Sequence, residues 1–244
     1  MSTVEYARYE LLRTFRNRRF YIFSFGFPLV LYYAIAGPNR NEASLGGTGI
    51  SAPVYFMVGL TAFGTMNAVL GSGVRIAAER SVGWNRQLRL TSLSTRTYFR
   101  VKVLTAYAMA LVAIALLYIA GATLGVRLQA GNWLAMTVLI LVGLIPFAGL
   151  GILMGHLLTT DSIGPAMGGT TALLALLGGV WFPVTGGVMH AVAEGLPSYW
   201  LVQAAHVGLG EPGWGATGWA VVAAWSIGAG LAAGRAYQRN TQRV

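Results

Sequence analysis

Six stretches without an acidic or basic residue, at 20–36, 53–74, 103–126, 133–158, 163–184 and 214–234, leave this chain little choice of solvent. A hydrocarbon core of about 30 Å takes about 20 apolar residues in a helix, and five of the six reach that length. The first is shorter, with aromatic residues at its edges to extend its reach. Backbone exposed to lipid has to satisfy its own hydrogen bonds, so each stretch reads as a helix. Composition agrees, because 10% charged residues is far below the roughly 25% that covers a soluble domain. The fold class expected is an all-α integral membrane protein of six transmembrane helices, a single domain over 1–244.

Charge placement gives the orientation. With the N-terminus inside, the inner segments 1–19, 75–102, 159–162 and 235–244 hold 5, 7, 0 and 3 of the 17 Lys and Arg residues, and the outer ones keep only Arg40 and Arg127. This is the positive-inside pattern, and it puts both ends in the cytoplasm. Trp133, Trp181 and Trp214 then fall at the outer boundary, where indoles prefer to sit. The same distribution argues against a nucleic-acid partner despite a net charge of +10. Basic residues 16–19 followed by an apolar run and Ala34-Ile35-Ala36 imitate a secretory signal. The long basic region and Pro38 argue against cleavage there.

Three segments between the spans carry character. Residues 3–18 form an amphipathic helix, with Val4, Ala7, Leu11, Leu12 and Phe15 at helical spacing and Glu5, Arg8, Arg13 and Arg16 opposite. It is suited to lie flat on the inner leaflet. Residues 75–102 are long and charged and include Gly83, Trp84 and Leu88. Trp84 and Leu88, spaced i, i+4, share one face of a short helix and would offer a docking surface, unless the loop merely sets topology. Residues 185–213 lack Lys and Arg and are broken by glycine and proline. They are expected to return to or partly re-enter the membrane, which requires protein cover. Gly151/Gly155, Gly164/Gly168 and Gly230/Gly234 are pairs at a spacing that permits close helix contact.

Several chemistries are disfavoured. Lys102 is the one lysine and no glycine-rich loop precedes it, so no phosphate-cradling loop for ATP is present. All seven acidic residues lie outside the apolar stretches, which weakens a proton relay. No cysteine is available for disulfides or thiolate sites. His156 lies at the inner end of the fourth stretch while His190 and His206 are outside, too separated for one metal site. Ser72 with His156 lacks an orienting acid for an intramembrane hydrolase.

The run Glu79-Arg80-Ser81-Val82-Gly83-Trp84-Asn85-Arg86-Gln87-Leu88-Arg89-Leu90-Thr91-Ser92-Leu93-Ser94, followed by Lys102, resembles the type 2 permeases of ATP-binding-cassette (ABC) transporters. The family pattern there runs Glu-Arg, a Gly-Thr step, a leucine pair, Thr-Pro-Leu-Ser and a later lysine. Trp84 stands where Thr is usual and Ser92 where Pro is usual. The basic N-terminal helix leading to Pro28 is similar to the family's interfacial elbow (1–19), and Phe182-Pro183 with Leu196-Pro197-Ser198-Tyr199 to its proline-marked stretch after the fifth span.

The resemblance implies a permease subunit in the bacterial cell membrane that exports small hydrophobic or amphiphilic drugs. Polysaccharide or lipid export is the alternative within the family, and a scaffold or intramembrane enzyme the alternative outside it. It further implies a second permease chain, the same or related, and two ABC ATPase subunits that carry the ATP and Mg, with no cofactor on this chain. Glu79, Arg80, Gly83, Trp84 and Leu88 are the residues expected to couple to the ATPase through the 75–102 loop. Phe182, Pro183, Leu196 and Pro197 are expected at an outer gate.

Overall fold

The computed structural model describes residues 3–16, 22–42, 44–45, 49–84, 94–182, 184, 186–209 and 213–242. Among them every regular element is helical. The helices are α1 (Thr3–Phe15), α2 (Phe27–Ala36), α3 (Ala52–Leu70), α4 (Ser72–Ser81), α5 (Thr95–Thr123), α6 (Ala130–Gly143), α7 (Ile145–Leu157), α8 (Thr160–Leu177), α9 (Gly187–Glu194), α10 (Pro197–His206) and α11 (Ala216–Gln242). Four continuous stretches are long and apolar enough to cross a membrane: Ala52–Ser81, Arg96–Thr123, Ala130–Leu157 and Ala216–Asn240. Ser24–Ala36 is apolar but shorter. At 1.5 Å per residue its 13 residues extend about 20 Å, less than a hydrocarbon core.

Helix α3 is the axis of the bundle. It is apolar on every side, which is the pattern of a fully enclosed helix, and 17 of its 19 residues are buried. Helices α2, α5, α7, α8 and α10 pack around it. Its hydroxyls need no outside partner, since Thr61 and Thr65 donate to Met57 O and Thr61 O at 2.7 Å each, a turn back along the helix. Helix α11 is the opposite case. It packs mainly on α7 and only 22% of its most apolar window is buried within the chain.

Two of the expected boundaries differ. The second apolar stretch does not stop at 74. After a turn at Gly71 the helix continues as α4 to Ser81, carrying Arg75, Glu79 and Arg80 with it, because these charges find partners on neighbouring helices. Residues 95–102 at the other end of the charged segment belong to α5, started by Ser94, whose hydroxyl accepts from Thr97 N at 3.2 Å. Of the 75–102 segment, 75–81 thus belong to α4 and 95–102 to α5, while 85–93 lie outside the described residues. The fourth stretch is two helices rather than one, broken at Leu144 ahead of Pro146, whose missing N–H interrupts the ladder.

Gly151/Gly155 is the pair whose own Cβ positions are closed off by another helix, while Gly230 is met from its other side, its N 3.1 Å from a Cβ on Gly149. Helices α4 and α7 cross with backbones touching: a Cβ on Gly155 would lie 2.6 Å from Gly73 O, and Gly73 itself faces Gly151 O. Gly164, Gly168, Gly230 and Gly234 face open space. Part of the 185–213 segment is buried. Helix α10 sinks Leu201, Val202, Ala204 and Ala205 among α6, α3 and α8, anchored by Trp200 Nε1 to Glu194 O at 2.7 Å and Trp214 Nε1 to Trp200 O at 2.8 Å.

Candidate functional site

Adjacent residues on a helix point about 100° apart, and Glu79 and Arg80 use that angle to hold two different groups of helices. Glu79 faces α1 and α5, whereas Arg80 faces α7 and α11. Both sit two turns or less from the end of α4, immediately before the Gly83 turn.

Glu79 is completely buried. Its Oε1 accepts from Arg13 Nη1 at 2.7 Å and from Lys102 Nζ at 2.5 Å, while Oε2 accepts from the Tyr98 hydroxyl at 3.0 Å. Lys102, also buried, donates a second bond to Glu10 Oε1 at 2.6 Å and lies 5.4 Å from the centre of the Tyr98 ring. Arg75 reaches the same helix α1 through Thr14 Oγ1 at 2.9 Å. Three helices are thereby tied by two carboxylates and three cations. A charge taken from water is tolerated only where it is paired and hydrogen-bonded, and Glu10, Glu79, Arg13 and Lys102 are paired in this way. The Tyr6 phenol, raised above its ordinary range by burial and then by Glu10 and Glu79, stays neutral against this cluster.

The face that α1 buries is not its apolar one. Tyr6, Glu10 and Thr14, four residues apart, point inward. Val4 and Leu12 are left exposed, which keeps that apolar stripe free for a membrane surface. All seven acidic residues do lie outside the apolar stretches in sequence, yet Glu10 and Glu79 are enclosed in space because Lys102 and Arg13 meet them.

Arg80 performs a different task. The last carbonyls of a helix have no partner within it, and the end of α7 is served by side chains. Arg80 Nη1 donates to Gly155 O at 2.9 Å and Leu158 O at 3.3 Å, a cation placed favourably at a helix C-terminus. Its Nη2 is 3.5 Å from Asn240 Oδ1, and Asn240 Nδ2 donates to His156 O at 2.7 Å. The His156 ring is wedged between Phe99 (6.2 Å between centroids) and Tyr237 (5.5 Å). Both of its nitrogens are buried without a hydrogen-bond partner among the described residues, so it forms no nucleophile–base pair with Ser72.

Gly83 has φ +70, a left-handed turn that glycine adopts without strain. Trp84 is half-buried rather than displayed on the loop. Its ring lies against Tyr9 of α1, 6.4 Å between centroids and 25° from parallel. Leu88 lies outside the described residues, as does Pro183. Phe182 is exposed, and Leu196 with Pro197 forms the entry to α10, Pro197 being buried at its first turn. Phe182 and this entry are not gathered into one cluster.

Glu10 was missed by sequence reasoning, and Asn240 with it. The signal for Glu10 was present: it shares a helical stripe with Tyr6 and Thr14, and a buried lone lysine elsewhere in the chain needs a carboxylate. Nothing in the sequence marks Asn240.

Residues 3–209 match the family described as ABC-2 type transporter. The chain is also similar to the Bacillus subtilis (strain 168) protein named "Putative transport permease YvfS", 28% identical over 195 residues that cover 78% of each chain.

Proposed function

Since the chain belongs to the ABC-2 type transporter family, we propose that it is the permease subunit of an ATP-driven exporter whose ATPases are separate chains. In this reading α2 and α8 join the four long spans to make six, with both termini in the cytoplasm, as the distribution of arginine favours. Two permease chains enclose the path, and small hydrophobic or amphiphilic molecules are the cargo class that apolar spans and a small external segment suit best. Two ATPases, holding ATP and Mg, dock at the turn that begins with Gly83 and Trp84.

The Glu79–Arg80 divide is the observation that carries this reading. A force applied at 82–94 reaches α4 and α5, which flank it. From there Glu79 passes it to α1 and α5, and Arg80 passes it to α7 and α11. Both junctions are built from charged hydrogen bonds, the strong and directional kind. A loop that only set topology would need neither. Trp84, resting on Tyr9, adds an apolar link between the turn and α1, and residues 182–197 are the gate at the far end.

The test is the double substitution Trp84→Ala, Leu88→Ala in the complex purified with its ATPase. Membrane insertion is expected to be unchanged while cargo-stimulated ATP hydrolysis is lost. Full stimulation in the double variant would overturn the coupling role of this turn.

A further inference from the structure

Helix α11 is joined to α4 by Asn240 and Arg80, and both of these side chains also bind the end of α7. We propose that Asn240 is a positioning residue that yokes the last span to α4, so that α4, the end of α7 and α11 move as one body. The inference rests on the exporter reading for its purpose but on geometry for its existence. Asn240 also lies beyond the residues matched to the family, so that match assigns it nothing.

The amide of Asn240 uses both of its ends. Its oxygen faces Arg80 Nη2 at 3.5 Å and its nitrogen donates to His156 O at 2.7 Å. Arg80 in turn holds the two carbonyls on either side, Gly155 O and Leu158 O. One arginine and one asparagine, from two different helices, thus complete the frayed end of a third. Each of these carbonyls would otherwise be an unsatisfied acceptor at a helix terminus.

Packing seconds the polar ring. Phe99 and Tyr237 meet at 5.0 Å between centroids with the His156 ring beside both. Ile76 of α4, Ile152 of α7 and Ala233 of α11 form one buried cluster just above. Because Gly73 and Gly155 already bring α4 and α7 into backbone contact, α4 cannot shift without carrying α7. Helix α11 packs on α7 and meets α4 through Ala233 and Ile76, and Asn240 adds the polar link between α11 and α4. Asn240 is thus the neutral partner of Arg80 at this helix end, donating through its nitrogen and accepting through its oxygen.

The chain has no cysteine, so spin labels can be placed without removing any. One pair at Val82→Cys and Arg239→Cys spans α4 to α11; a second at Val4→Cys and Val82→Cys spans α1 to α4. All three positions are exposed. With the permease alone in nanodiscs, Asn240→Ala is expected to broaden the 82–239 distance distribution and leave 4–82 unchanged. Asn240→Leu, which keeps the bulk, is expected to do the same. Unchanged 82–239 distances in both variants would overturn the yoke, and equal broadening of both pairs would overturn it as well by showing a general loosening. In the complex, Asn240→Ala is expected to retain ATP hydrolysis while transport falls about tenfold, within the usual span of coupling between separated sites. Transport at parental rate would refute the role in coupling. The distance measurement needs no ATPase, so a missing ATPase partner would sink the exporter reading and leave the yoke standing.

Discussion

Replacing Lys102 by Met keeps the length of the side chain and removes the one ammonium that joins two buried carboxylates. The structure says which carboxylate suffers. Glu79 retains Arg13 at 2.7 Å and the Tyr98 hydroxyl at 3.0 Å. Glu10 loses its ion pair, and its other oxygen, Oε2, is already buried without a hydrogen-bond partner among the described residues. Breaking a buried pair from one side costs about 3–5 kcal/mol, because the remaining charge is stranded. Lys102→Met should therefore destabilise the protein by that amount. Adding Glu10→Gln removes the stranded charge, and the double variant should be more stable than Lys102→Met by about 1–3 kcal/mol, within the range seen for groups in direct contact. Glu10→Gln alone keeps an acceptor for Lys102 and should cost less than Lys102→Met. The assay is reversible denaturant titration in mixed micelles of fixed composition, followed by tryptophan fluorescence. A loss below about 1 kcal/mol for Lys102→Met, or a double variant weaker than the single, would refute the buried-network account.

Three further substitutions test the packing. Gly155→Ala sets a methyl group 2.6 Å from Gly73 O and should cost about 1–3 kcal/mol through forced separation of α4 and α7; Gly164→Ala, which meets open space, should stay within about 0.5 kcal/mol in the same titration. His156→Phe should preserve stability and transport because the ring acts as an aromatic slab between Phe99 and Tyr237, whereas a loss of transport at parental stability would show that an imidazole nitrogen has a task.

Much of the molecule was legible in its sequence, and the reasons for the rest are specific. Apolar length identified the long helices, since a helix in lipid leaves its backbone no alternative. Periodicity identified α1 and its apolar stripe but not that a second stripe, Tyr6, Glu10 and Thr14, packs against the rest of the chain. Apolar residues are normally the buried ones, and only the location of Lys102 on α5 turns Tyr6, Glu10 and Thr14 inward. Glu79 and Arg80 stood out by resemblance. That they divide the bundle between them depends on which helices lie on each side of α4, information carried by tertiary packing. Three glycine pairs read alike along the chain, and Gly151/Gly155 is the one whose own Cβ positions are closed off by another backbone, because Gly73 crosses it on α4. Trp84 looked exposed because a charged run is usually solvated. Tyr9, 75 positions earlier, covers it.

If this permease works with an ATPase on another chain, the two should co-purify. The protein carrying a tag after Val244 would be extracted from its native membrane in mild detergent, and its stoichiometric partners identified by mass spectrometry. The account predicts an ABC ATPase in the eluate at one copy per permease chain. Reproducible recovery of the intact chain without any ATPase would contradict it, and the Glu79–Arg80 junctions would then stand as architecture alone.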